Sequence, residues 1–215
     1  MVRILLADDH EIVRRGLKEL LEEHSGWIVC GEASNGREAV ELAAQTRPQV
    51  AVLDFSMPEL NGLEATRRIR QLAPETEVLI FTMHESEELI REVLAAGARG
   101  YLLKSEAARH LVTAVDSLSR HMPYFSGRVS SVVLEGYLKG QPARTAPVAT
   151  ERLTSREREI VQLLAEGNSN KAIATRLDLS VKTVETHRAS IMRKLELTSL
   201  ADVVRFAVRN HIIQP

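Results

Sequence analysis

Three carboxylates, a hydroxyl and an amine, at Asp8, Asp9, Asp54, Thr82 and Lys104, are the side chains of this sequence whose types could carry chemistry together. Each stands at the end of a short apolar run or just after one. Brought close, three unpaired carboxylates repel and raise one another's pKa. A divalent cation removes that conflict, and Mg2+, which takes one or two carboxylates with waters and a phosphate oxygen, suits the cluster better than zinc or copper. A metal-clamped aspartate beside a lysine and a hydroxyl is equipped to accept a phosphoryl group on its carboxylate. Charge on the transferring oxygens would be met by the cation, by Lys104 and by a hydrogen bond from Thr82. Asp54 closes the most central apolar run and is the nucleophile of this scheme, with Asp8 and Asp9 placed to hold metal. Taken singly these residues have plainer readings: a helix cap for Asp8 and Asp9, a strand residue for Thr82, a solvated charge for Lys104, an ordinary turn for Pro58 and Gly62. Only joint placement makes them a site.

The elements that must do the placing are regular. Apolar runs of strand length occupy residues 3–7, 28–33, 50–54, 78–82 and 101–103. Between them Val13, Leu17, Leu20 and Leu21, then Ala39, Leu42 and Ala43, then Leu63, Thr66 and Ile69, then Leu89, Val93 and Leu94 repeat at helical spacing, and a fifth helix fits residues 107–118. Strict alternation of apolar strand and amphipathic helix predicts a five-stranded parallel sheet with helices on both faces. In the doubly wound order 2-1-3-4-5, strands one and three are neighbours at the switch point, and all the residues above lie at the carboxyl edge.

Charge divides the chain. Residues 1–125 hold 14 basic and 20 acidic side chains, whereas residues 151–215 hold 11 basic and 8 acidic. An acidic front and a basic back predict different partners for the two ends, the basic end being the candidate for nucleic acid. No run of about 18 apolar residues exists, and the acids at the start leave no export leader, so a cytoplasmic chain without membrane contact is expected. The lone Cys30 reads as a small core residue. After His121 the pattern fades through a stretch with room for one short helix into QPARTAPVAT, which predicts a linker over residues 123–149 between a front domain at 1–122 and a back domain at 150–215.

From residue 151 onward no strand signal returns, and four helices fit residues 155–166, 170–177, 181–195 and 200–208. Ser155 reads as the first N-cap, with Arg158 leaving its capping box incomplete. Two helices joined by the short turn at LDLS form a helix-turn-helix whose second member enters the major groove. At 100° per residue, Val184, Arg188, Ile191 and Leu195 point one way and Lys182, Thr186, Ala189 and Arg193 the other. The second face is the DNA candidate: Thr186 and Ala189 suit thymine methyls, Lys182 and Arg193 phosphate or guanine, Glu185 cytosine, with Arg188 reaching phosphate from the margin. Thr183 completes this set.

These strings resemble known families. DDH at 8–10, DFSMPELNG at 54–62, Thr82 and YLLK ending at Lys104 resemble the receiver domain of bacterial two-component response regulators. The resemblance implies that Asp54 is the phosphoacceptor, that Asp8, Asp9, Asp54 and the Ser56 carbonyl serve Mg2+, and that Thr82 and Tyr101 form a switch pair. In that family the threonine moves toward the phosphate and the aromatic ring turns inward. Receivers often carry proline with a cis peptide after the lysine. Ser105 stands there instead, and a cis bond would cost roughly 3 kcal/mol, so both isomers stay open. LTSRERE, NKAIA and TVETHRASIMRKL resemble the LuxR-type helix-turn-helix of the NarL/FixJ subfamily. That likeness implies phosphate contact by Lys171, base reading at Glu185, Thr186 and Ala189, and a dimerising helix using Leu200, Val203, Val204 and Ala207. The implied partners are a sensor histidine kinase, a double-stranded operator, a second copy of the chain and the transcription machinery. Two alternatives stay open from the residues alone, an enzyme that turns over an aspartyl phosphate and a basic domain that binds RNA or protein.

Overall fold

A computed structural model describes residues 1–127, 129–131 and 152–213. The chain divides into two units, Met1–Ala143 and Arg144–Pro215. In the first, strands β1 (Val2–Ala7), β2 (Trp27–Ala33), β3 (Val50–Asp54), β4 (Glu77–Thr82) and β5 (Gly100–Leu103) alternate with helices α1 (Glu11–Glu22), α2 (Gly36–Thr46), α3 (Gly62–Leu72), α4 (Glu87–Ala95) and α5 (Ala107–Ser119). All strand pairs are parallel, in the order β2-β1-β3-β4-β5 followed by a sixth strand. Successive side chains of a strand face opposite sides, and the core follows that rule. Leu5, Leu53 and Ile80 pack with Ala39, Ile69 and Val93 from α2, α3 and α4. Their neighbours Ile4, Leu6, Val52 and Leu79 pack with Leu17, Leu21, Leu111 and Val115 from α1 and α5.

The sheet extends the five-stranded expectation. Tyr124–Phe125 forms β6 beside β5, with Gly100 opposite Tyr124 and Tyr101 opposite Phe125. Two residues carry no readable period, so only tertiary pairing defines this strand. Val129 is buried in the core with it, so this part of the expected 123–149 linker belongs to the sheet unit. Residues 132–149 lie outside the described residues. No peptide bond described is cis, so the bond before Ser105 is trans.

Two glycines set how closely the loops pack at the carboxyl edge. A Cβ on Gly62 would stand 2.3 Å from the Asp54 carbonyl oxygen, and one on Gly36 would stand 1.9 Å from that of Leu60. Asn61 then caps α3 by accepting from the Glu64 amide at 3.0 Å.

The second unit is helical: α6 (Ser155–Ala165), α7 (Asn170–Leu177), α8 (Val181–Leu195) and α9 (Leu200–Arg209). Its first cap corrects the sequence reading. Thr154, not Ser155, is the N-cap, and Glu157 completes a reciprocal capping box. Gly167, at φ 84°, ends this stretch. Ile160, Val161, Leu164, Ile173, Val184 and Ile191 form the core, together with Val203 and Ala207. Glu157 is the polar tie between α6 and α8: Ser190 Oγ donates to it at 2.9 Å and Lys194 Nζ at 2.6 Å. Among the described residues no helix is long and apolar enough to cross a membrane.

Two stability outcomes follow from these contacts. Gly36→Ala drives a methyl into backbone and lowers the stability of the sheet unit by about 1–3 kcal/mol. Urea unfolding followed by Trp27, the one tryptophan, reads that loss, and an unchanged midpoint refutes the packing argument. Burial alone would raise the Glu157 carboxyl, but the Lys194 hydrogen bond, with those from Thr154 and Ser190, outweighs it and holds the pKa at about 2. A pKa lowered on folding stabilises fully above the unfolded value and is lost as pH falls through the folded one. The helical unit therefore loses up to about 3 kcal/mol between about pH 5 and pH 2. Glu157→Gln abolishes that part of the acid dependence in a pH series of melting curves.

Candidate functional site

The sheet order brings Asp8 and Asp54 side by side. Ala7 pairs with Leu53, so the residue following β1 and the last of β3 emerge together at the carboxyl edge. Both are nearly sealed, at 1% and 4% exposed. Lys104, following β5, reaches across and bridges them, its Nζ 2.6 Å from Asp8 Oδ2 and 3.1 Å from Asp54 Oδ2. Its ammonium lies 5.6 Å from the Phe81 ring centroid, a cation–π contact that helps to hold the stem. Asp9, Asp8, Asp54 and His10 each offer a ligand atom, all within 4.8 Å of one another.

Electrostatics follow from this crowding. Burial pushes the Asp54 carboxyl above the ordinary range and Asp8 adds to the push, which the Lys104 ammonium and the Ser56 amide only partly offset. Burial pulls Lys104 down, but the Asp8 hydrogen bond and the charge of Asp54 outweigh it, so Lys104 holds its proton more firmly than a free lysine. The corner keeps excess negative charge that one ammonium leaves uncompensated. Three carboxylates with oxygens so close are the donor set of a hard divalent ion.

Thr82 and Tyr101 meet through a residue the sequence reading did not single out. His84 donates its amide to Thr82 Oγ1 at 3.1 Å and accepts from the Tyr101 hydroxyl at 2.7 Å through its carbonyl. Its ring stands T-shaped to Phe55 at 5.9 Å, and its Nε2 is 3.4 Å from Ser56 Oγ. Tyr101 is fully buried, so its ring occupies the inward position. His10 and Arg14 were also missed: Arg14 donates to the Asp8 carbonyl at 2.7 Å. His10 lay inside the DDH string, but neither His84 nor Arg14 carried a spacing signal.

In the helical unit the face predicted from 100° spacing is open. Lys182, Glu185, Thr186, Ala189 and Arg193 are exposed along α8, while Val184 and Ile191 are buried. Thr186 Oγ1 donates back to the Lys182 carbonyl at 2.9 Å. Thr183 is half-buried, its amide donating to the Ser180 cap at 3.0 Å. Arg188, half-buried as its apolar side demands, reaches Asn170 Oδ1 at 3.5 Å and so spans α8 and α7. Lys171 is exposed and lines an open groove of about 410 Å³ on α7 with Ser169, Ala172, Thr175 and Arg176.

The dimerising set needs correction. Val203 and Ala207 are fully buried in their own unit, so neither side chain is available to a partner. Their spacing fits the inner face of α9 as well as an outer one, and the core claims them. Leu200, 43% exposed, and half-buried Val204 remain at the surface.

Residues 4–116 match the response regulator receiver domain, and residues 151–207 match the luxR family of bacterial regulatory proteins. The transcriptional regulatory protein LiaR of Bacillus subtilis is 37% identical over 213 residues, 99% of this chain and 100% of LiaR. A two-component response regulator of the LuxR family from Aurantimonas, solved as a crystal structure, is 36% identical with a TM-score of 0.61, covering 64% of this chain and 99% of that one. RcsB from Salmonella enterica serovar Typhimurium, solved on the promoter rprA with the phosphomimetic BeF3−, is 25% identical with a TM-score of 0.58, covering 95% and 97%. These relatives are regulators rather than catalysts acting on external substrates.

Proposed function

The chain belongs to the response regulators that join a receiver domain to a LuxR-type regulatory domain, and from that premise we propose that phosphoryl transfer to Asp54 controls sequence-specific DNA binding through α8. The observation that carries this reading is the Lys104 ammonium bridging Asp8 and Asp54 at the sheet edge. It favours the ionised form of one buried carboxylate and supplies the charge its product needs.

Asp54 attacks the phosphorus of a donor through a carboxylate oxygen, and the donor's leaving group departs on the far side. No P-loop or kinase signature occurs in the chain, so the donor is another molecule, by family a sensor histidine kinase. Lys104 pairs with one phosphoryl oxygen. Thr82 Oγ1 accepts from the His84 amide, which leaves its own hydrogen free to donate to a second oxygen. Asp8, Asp9 and Asp54, with the Ser56 carbonyl, would hold Mg2+, which when bound supplies positive charge against the phosphoryl oxygens.

Movement of Thr82 is passed to Tyr101 through His84, because the amide and carbonyl of one residue contact both. To reverse a 1:99 equilibrium between two receiver states, the phosphoryl group must favour one of them by about 5.5 kcal/mol. The output is duplex DNA, as in the RcsB–promoter complex, read from the exposed Lys182, Glu185, Thr186, Ala189 and Arg193, with Thr183 and Arg188 at the margin and Lys171 on phosphate. Two copies on one operator would meet through α9 at Leu200 and Val204. The setting is the cytoplasm, beside the transcription machinery.

Asp54→Asn should take up no phosphate from a small phosphodonor such as acetyl phosphate and lose the phosphate-dependent gain in operator affinity, as read by intact mass and by gel shift. Normal uptake by this variant would overturn the assignment. Lys171→Ala should weaken binding evenly across sequences and reduce the salt slope of log Kd by about 1, whereas a change of base preference would move Lys171 from phosphate to a groove edge.

A further inference from the structure

His10 is the member of the acidic corner to which phosphoryl transfer gives no task. It is the N-cap residue of α1, a position that favours a side chain able to accept from the helix, yet it makes no side-chain cap hydrogen bond. Its ring turns instead to the carboxylates, with Nδ1 2.8 Å from Asp9 Oδ1 and 3.3 Å from Asp8 Oδ1. Its amide donates to the same Asp8 Oδ1 at 2.9 Å, so backbone and ring are fixed on one oxygen.

We propose that His10 is a fourth protein ligand that lets the Asp8, Asp9 and Asp54 site take a first-row transition ion such as Ni2+ or Cu2+ in competition with Mg2+. The inference rests on reading this corner as a cation site and deepens it by naming which cations compete. The geometry accommodates it. One coordination sphere of radius about 2.1 Å spans about 4.2 Å between opposite ligands, so four atoms within 4.8 Å need contract by only a few tenths of an ångström. The approach is open, since the His10 side chain is 68% exposed and Asp9 is 34% exposed. Lys104 does not block it: the ammonium sits on Oδ2 of Asp8, whereas His10 sits on Oδ1.

A carboxylate only accepts, so at 2.8 Å from Asp9 the Nδ1 atom carries the hydrogen. Coordination uses the other tautomer, with that hydrogen moved to Nε2 and the Nδ1 lone pair turned to the ion. Imidazole suits nickel, copper, zinc and iron, whereas Mg2+ keeps carboxylate and water oxygens. His10 therefore discriminates between ions that share the same carboxylates.

The test is calorimetric titration of the full, untagged chain with NiCl2 and with MgCl2, in wild type, His10→Ala and His10→Gln. Pulsed EPR of the Cu2+-loaded chain adds a direct reading of nitrogen coordination. Expected are a loss of about tenfold or more in Ni2+ affinity for both variants, Mg2+ affinity within about twofold of wild type, displacement of Ni2+ by excess Mg2+, and a nitrogen coupling that the variants lack. Unchanged Ni2+ affinity, an equal loss for both ions, Ni2+ that Mg2+ cannot displace, or an absent nitrogen coupling would each overturn the proposal. A wild-type chain that binds no Mg2+ at all would instead overturn the reading of the corner as the receiver's cation site, an outcome separate from the Ni2+ result.

Discussion

One ammonium shared by two buried carboxylates is the interaction on which the front unit depends. Asp8 and Asp54 are nearly sealed from water, and a buried charge left unpaired is strongly destabilising, so the edge of the sheet tolerates them only because Lys104 reaches both. That reach fixes much else. Strands β1 and β3 must be neighbours to set the acids side by side, and β5 must end two strands from β3 so that a lysine stem can cross over Phe81. The bare glycines at 36 and 62 let the loops close around the result. The same arrangement leaves a deficit: two sealed carboxylates and the half-exposed Asp9 face one nearby lysine, so the corner attracts further positive charge.

The link between Thr82 and Tyr101 runs through backbone more than through side chains. His84 contributes an amide and a carbonyl to Thr82 and Tyr101, and those atoms exist whatever residue stands there. Its imidazole adds the link to Phe55 and Ser56 on the loop that follows Asp54. In the proposed switch, a shift of the Thr82 hydroxyl is passed to the segment on which the tyrosine is hung. The fully buried ring amplifies this, because a close-packed core admits discrete positions rather than a continuum.

How far the sequence disclosed this can be judged residue by residue. The five long strands stand within one residue of the apolar runs, since parallel strands buried on both faces must be uniformly apolar. Asp54, Thr82 and Lys104 were legible because each ends a strand or directly follows one at the edge where such sheets bind ligands. The two-residue β6 was not, because pairing with Gly100 and Tyr101 defines it and no periodicity does. At the start of α6, Thr154 and Ser155 are both good caps, and what selects Thr154 is Glu157 three positions on, itself held by Lys194 from a helix far along the chain. Val203 and Ala207 look alike whether they face a partner or their own core, and only the packing of α9 decides.

That last decision bears on control. With Val203 and Ala207 withdrawn into the core, the apolar side chains that α9 keeps at the surface are exposed Leu200 and Ala201 and half-buried Val204, Phe206 and Val208. A stable protein interface buries on the order of 1,200–2,000 Å², which these few, mostly half-buried side chains from each copy do not approach. For a dimer formed through this helix, the contact alone is weak, and occupancy of two adjacent half-sites must draw on a further source of free energy. DNA supplies part of it by holding both copies at high effective concentration. The receiver supplies the part that varies with phosphorylation, and because every 1.4 kcal/mol changes affinity tenfold, a modest bias there moves operator occupancy across its whole range. A tighter α9 contact would remove that leverage, since the unphosphorylated chain would already pair. The burial of Val203 and Ala207 completes the core of a small helical unit and, under the proposed dimer, would leave the α9 contact weak enough to be governed.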